Sequence, residues 1–260
     1  YKLDGKSLSS YSWQWESGSY PEGAFSPGVL IHETGHALGL PDLYDYDGDQ
    51  GPDGGVGELD QMDGNWGDHN PFSKWLLEWL TPTAVTGTQT VTLAPTGNTP
   101  QAAIFMPDAS TSQPFAEFFL VQNRYRVGND TTYPTDGLLI WHVDARLDGG
   151  GTDFLYDNSY AAHKLVRLME ADGLEEIEQD YQADAGDYYP QGGHFGPLTA
   201  PSSMAYSNLP STMGVRTITT PGLTQSCEIY RLTDATPPSG APSTPTDEGA
   251  ISPRTRLTFQ

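Results

Sequence analysis

The sequence predicts an α+β protein in three parts: a short helical segment over residues 1–82, a strand-rich stretch over 83–234 folded as an antiparallel β-sandwich, and a tail over 235–260. Two observations predict the first two parts. Before residue 83, apolar residues recur at helical spacing between capping and breaking residues. After it, the period drops to two, in short runs parted by Pro, Gly, Asn and Asp. The third part is read from composition alone, because 235–252 is dense in Pro, Ser, Thr and Gly, the make-up of a linker.

The first helix is expected from Pro27 to about Leu38. Ser26 can serve as its N-cap and Pro27 suits its first turn. Val29, Leu30, Ala37 and Leu38 are expected to bury one side of it. On this helix His32 and His36 stand four residues apart, one above the other, so two imidazoles can face one metal ion. Glu33 lies beside them, placed to act as general base on a metal-bound water. Gly39 allows the left-handed turn that stops the helix, and Pro41 forbids its continuation. The chain can then fold back and bring Asp42 to the same ion, where a carboxylate oxygen binds zinc as an imidazole nitrogen does. His32-Glu33-x-x-His36-x-x-Gly39-x-x-Asp42 is similar to the metzincin signature, with Asp in place of its last His.

Further elements follow in order. Upstream, Lys6 to Trp15 is the strand candidate, and the catalytic sheet such a helix normally follows is expected to be largely missing from this chain. Downstream, Asp45, Asp47, Asp49 and Asp53 alternate with small and turn residues, the pattern of a calcium loop; a solvated acidic loop is the equal alternative. Met62 precedes a turn and is expected as the hydrophobic base beneath the histidines. Asn70 caps, Pro71 opens and Pro82 closes a helix with an apolar stripe of Phe72, Trp75, Leu76, Trp79 and Leu80. Glu78 on it rivals Asp42 as third metal ligand.

In the sandwich, strands are expected at 89–93, 102–106, 115–125, 137–143, 164–170, 215–219 and 228–232, with 137–144 as the central one. His142 within that apolar run reads as a hydrogen-bonded core residue. Asp144, Asp148, Asp153 and Asp157 read equally as a second cation loop or as solvated acid.

Composition narrows the partners. The net charge of −22 opposes nucleic acid and anionic membranes, and no run of apolar residues is long enough to span a bilayer. The single cysteine, Cys227, cannot form an internal disulfide and is expected to be buried. A monomer acting on proteins or peptides is expected.

The chain resembles the immune inhibitor A family of secreted bacterial metallopeptidases. The likeness rests on the block from His32 to Asp45 and continues through Met62, Trp66-Gly67, Lys74-Trp75 and Trp79-Leu80. It extends to Phe118–Arg124, Gly137–Asp144 and Glu170-Ala171-Asp172-Gly173, covering most of 7–220. The family usually has more chain before the helix, including a pro-segment. The resemblance implies a secreted, zinc-dependent, calcium-stabilised endopeptidase with a β-rich domain after the catalytic one. The competing expectation is a non-catalytic binding module carrying a truncated metal site, against which the intact Glu33 argues.

Overall fold

A computed structural model describes residues 2–3, 6–7, 25–46, 55–106, 116–159, 163–179, 182–208 and 211–232. Its helices are α1 (Gly28–Ala37), α2 (Gln61–Gly64) and α3 (Pro71–Leu76). Its strands are β1 (Lys2–Leu3), β2 (Lys6–Ser7), β3 (Thr83–Ala84), β4 (Gln89–Leu93), β5 (Ala103–Phe105), β6 (Glu117–Arg124), β7 (Gly137–Asp144), β8 (Val166–Leu168), β9 (Met213–Arg216) and β10 (Gln225–Arg231). The fold is α+β, with most regular structure in sheets.

Two sheets face each other. One has the order β3-β5-β6-β7-β8 and the other β4-β10-β9. Pairing is antiparallel in both except at one edge, where β3 runs parallel to β5. β6, not β7, occupies the middle of the larger sheet. Both strands are buried on their two faces: Phe119, Val121, Leu138 and Ile140 meet the smaller sheet, while Phe118, Leu120, Leu139 and Trp141 meet the helical segment. This double burial explains why both read as continuous apolar runs rather than alternating ones. Trp141 and Gln122 find partners within the core. Trp141 Nε1 donates to Gln122 Oε1 at 2.6 Å, and Gln122 Nε2 donates to Thr96 Oγ1 at 2.7 Å.

The expected parts 1–82 and 83–234 therefore share a core. Leu40, Leu43, Leu59, Met62 and Phe72 pack in one cluster with the outer face of the larger sheet. Arg124 adds a polar tie from β6. It is fully buried, donates to Asp130 Oδ1 at 2.9 Å and to the Leu59 carbonyl at 3.0 Å, and lies over the Tyr133 ring.

Several expected elements shift. The upstream strand is seen only as Lys6–Ser7, paired with Lys2–Leu3, and residues 8–15 lie outside the described ones. The strand expected at 164–170 shortens to Val166–Leu168, and the last two begin earlier than expected, fixed by β10 pairing with β4 and β9 on either side. Pro27, not Ser26, is the N-cap of α1, and no side chain caps it. Val29, Leu30, Ala37 and Leu38 are exposed, as are Phe25 and Ile31, because among the described residues nothing covers that side of the helix. α3 stops at Leu76, short of Pro82, leaving Leu76 and Trp79 exposed. The cause is backbone geometry: Glu78 takes a left-handed conformation (φ 59°), with Glu78 N–H bonded to the Trp75 carbonyl and Trp79 N–H to that of Lys74. That is a Schellman ending. The residues 235–260 lie outside the described part.

Candidate metal centre

α1 ends the same way as α3, here with the residue expected for it. Gly39 has φ 100°, its N–H bonds the His36 carbonyl, and Leu40 N–H bonds the Gly35 carbonyl. Leu40 drops into the core, and the chain reverses so that Asp42 comes back beneath the histidines. His32 Nε2 lies 2.8 Å and His36 Nε2 3.1 Å from one oxygen, Asp42 Oδ1. The two rings meet edge-on at 4.8 Å. His32 and Asp42 are buried, while His36 keeps one edge open.

The outer nitrogens fix the protons. His32 Nδ1 bonds the Gln61 carbonyl at 3.0 Å and His36 Nδ1 the Leu40 carbonyl at 2.9 Å. A carbonyl oxygen only accepts, so both Nδ1 atoms carry hydrogen, and in the neutral rings both Nε2 lone pairs point inward. They point at an acceptor. Asp42 Oδ1 is buried and receives no hydrogen bond. With neutral rings, two nitrogens and one oxygen, all electron-rich, face one another, an arrangement that a proton or a metal cation among them would stabilise. Donors at zinc-ligand distances in tetrahedral array stand about 3.3 Å apart, close to the spacing here. The donor set fits zinc.

Beneath this group lies Met62, fully buried in α2. A Cβ on Gly35 would stand 2.4 Å from its Sδ, so the absence of a side chain at 35 lets α1 settle on it. The histidine spacing and the methionine support are one packing unit. Asp60, which the sequence reading passed over, holds that unit in register. It is fully buried and accepts from Met62 N at 2.7 Å, Asn70 N at 2.5 Å and Ser73 Oγ at 3.2 Å. Burial raises its carboxyl pKa, but hydrogen bonding and charge from His69, with the backbone donors, outweigh this and hold it below the ordinary value. Its sequence signal was an N-cap Asp ahead of Gln61-Met62.

Glu33 sits half-buried on the helix next to His32. Tyr44, also unforeseen, lies beside them, its ring 6.2 Å from that of His32, and burial followed by the charges of Asp42 and Glu33 raises its pKa. Glu78 is exposed and outside the group of His32, His36 and Asp42 that could hold a metal ion. A cavity of about 500 Å³ borders His36 and Asp42 and is walled by Tyr46, Phe154, Tyr156 and Leu165.

The remaining acidic candidates behave differently. Asp45 is half-buried in the loop after Asp42, and Asp47, Asp49 and Asp53 lie outside the described residues. Asp144 does not gather a second cation loop with Asp148, Asp153 and Asp157. Its carboxylate is occupied by Arg146 and by His163 Nε2 at 2.7 Å, while Asp148 accepts the backbone N–H groups of Gly150 and Thr152 in its own turn. His142 is a core residue, bonded to Glu117 Oε1 at 3.0 Å and stacked between Phe119 and Tyr206. Cys227 is buried, which pushes its thiol pKa up to about 12.

No family model, curated protein or solved structure matches this chain. Among the described residues no helix is long and apolar enough to cross a membrane.

Proposed function

We propose that the chain is a zinc hydrolase whose metal is held by His32, His36 and Asp42. Its particular activity, on this reading, is endopeptidase cleavage of extracellular proteins, of the metzincin-like, immune inhibitor A kind. One observation carries the proposal: two inward-facing imidazole lone pairs meet a buried Asp42 oxygen that receives no hydrogen bond.

Zinc held by His32, His36 and Asp42 would supply a water acidic enough to ionise near neutral pH and would polarise the scissile carbonyl. Glu33, one residue along the helix from His32, takes the proton from the attacking water and returns it to the leaving amine. Met62 and Asp60 hold α1 against α2, and the cavity beside His36 accepts a substrate side chain. Calcium in the 45–53 loop remains part of this reading, with Asp45, Asp47, Asp49 and Asp53 as its donors.

Casein hydrolysis measured beside zinc content tests the assignment. Glu33→Gln should keep about one zinc per chain and lose hydrolysis. Asp42→Ala should lose both. Full proteolysis by zinc-free protein, or by the Glu33→Gln form, overturns the reading.

A further inference from the structure

A second group of carboxylates lies away from the histidines, where β8 gives way to the segment 170–187. Glu170 and Asp187 are 3% and 2% exposed. Oxygens of Glu170, Asp172 and Asp187 all lie within 4.8 Å of one another. Asp172 also belongs to an outer group with Glu176 and Asp184.

The hydrogen bonds at this cluster use one side of each carboxylate. Asp187 Oδ2 accepts Asp184 N–H at 2.7 Å, Glu170 Oε2 accepts Glu176 N–H at 2.7 Å, and Asp172 Oδ1 accepts Leu174 N–H at 3.0 Å. Asp187 Oδ1 is buried and has no hydrogen-bond partner. Asp172 Oδ2 packs against Gly186, where a Cβ would stand 2.3 Å from it.

Nearby cations are committed elsewhere. Lys164 Nζ pairs with Glu178 at 2.7 Å, and Arg167 pairs with Glu175 at 2.7 Å and more loosely with Glu178. The side-chain charges acting most strongly on Asp187 are those of Asp172, Asp184 and Glu176, all negative. Buried carboxylates without a counter-charge need a proton or a metal ion.

We propose that Glu170, Asp172 and Asp187 form a calcium site, flanked by Glu176 and Asp184. The donors are all oxygen, which excludes a preference for soft metals. Several carboxylates on a short irregular segment suit the high, flexible coordination of calcium better than the hydrated octahedron of magnesium. The ion would fasten a segment that reaches the zinc-binding half: Ala183 N–H bonds the Gly57 carbonyl at 3.0 Å, and Ile177 and Tyr188 share the core with Met62.

Calcium titration by calorimetry on zinc-loaded protein, after removal of calcium with EGTA, tests this. Asp47→Asn reports separately on the 45–53 loop. Asp187→Asn should bind one calcium equivalent fewer than wild type and lose part of the calcium-dependent rise in Tm. Exposed Asp172, replaced by Asn, should fold even if the Asp187 variant does not, and should weaken one site on the order of tenfold to a hundredfold. Unchanged stoichiometry and affinity in both variants overturn the site. So does a wild-type Tm indifferent to calcium with a more stable Asp187→Asn variant, the signature of a carboxyl pair sharing a proton.

Discussion

Gly35 and Met62 touch so closely that the helix carrying both histidines rests directly on the methionine sulfur, with room for a hydrogen but not for a methyl group. The same α2 segment supplies the Gln61 carbonyl that orients His32. Ligand spacing on α1 and ligand orientation from α2 are thus set by one contact.

Gly35→Ala should destabilise the protein by about 1–3 kcal/mol, the range for overpacking a close-fitted core. It should also weaken zinc, because α1 must lift from α2. Thermal unfolding with and without zinc measures both effects; a variant with native Tm and native zinc affinity would show that the contact is slack.

Asp60→Asn keeps the volume but can no longer accept every donor around it. A loss of about 1–3 kcal/mol is expected from the unsatisfied buried groups. Zinc affinity should fall by roughly tenfold to a hundredfold, because Asp60 touches no metal yet sets the carbonyl that holds His32. Competition with a chromogenic chelator separates the affinity change from the stability change.

Glu78→Gly should stabilise the fold by about 0.5–1 kcal/mol. The left-handed turn that ends α3 is strained for any side chain with a Cβ, though the freer unfolded glycine chain offsets part of the gain. Zinc affinity should not move. A drop in affinity would restore Glu78 as the third ligand in place of Asp42.

Asp63 gives a pH signature outside the ligand set. One of its oxygens, Oδ2, accepts both Val56 N–H at 3.0 Å and Glu58 N–H at 2.7 Å, but burial dominates and pushes its carboxyl from the ordinary 3.8 up to about 6. The native state then holds the proton more tightly than the unfolded chain. This contribution is complete below about pH 4 and is lost as the pH rises to about 6. Asp63→Asn, whose amide oxygen can accept the same two bonds, should flatten that fall and leave the protein about 2 kcal/mol more stable at neutral pH. Urea unfolding at pH 4, 5, 6 and 7 checks it; parallel stability curves for the two proteins would contradict the assignment.

The amino-acid order by itself determined the local features. His32 and His36 share a face because the helix repeats every 3.6 residues, and Gly39 with Pro41 ends that helix wherever it is placed. The runs at 115–125 and 137–143 likewise announced strands, though their burial on both faces was decided by the two surfaces that pack on them. What joins these pieces was decided in three dimensions. Asp60 under the histidines, Tyr44 beside His32, and Glu170 beside Asp187 are pairings that no periodicity encodes. The shortening of α3 at Glu78 and the exposed side of α1 have the same origin. Each depends on which distant surface arrives to pack, and the free energy of burial, unlike helical repeat, is a property of the assembled core.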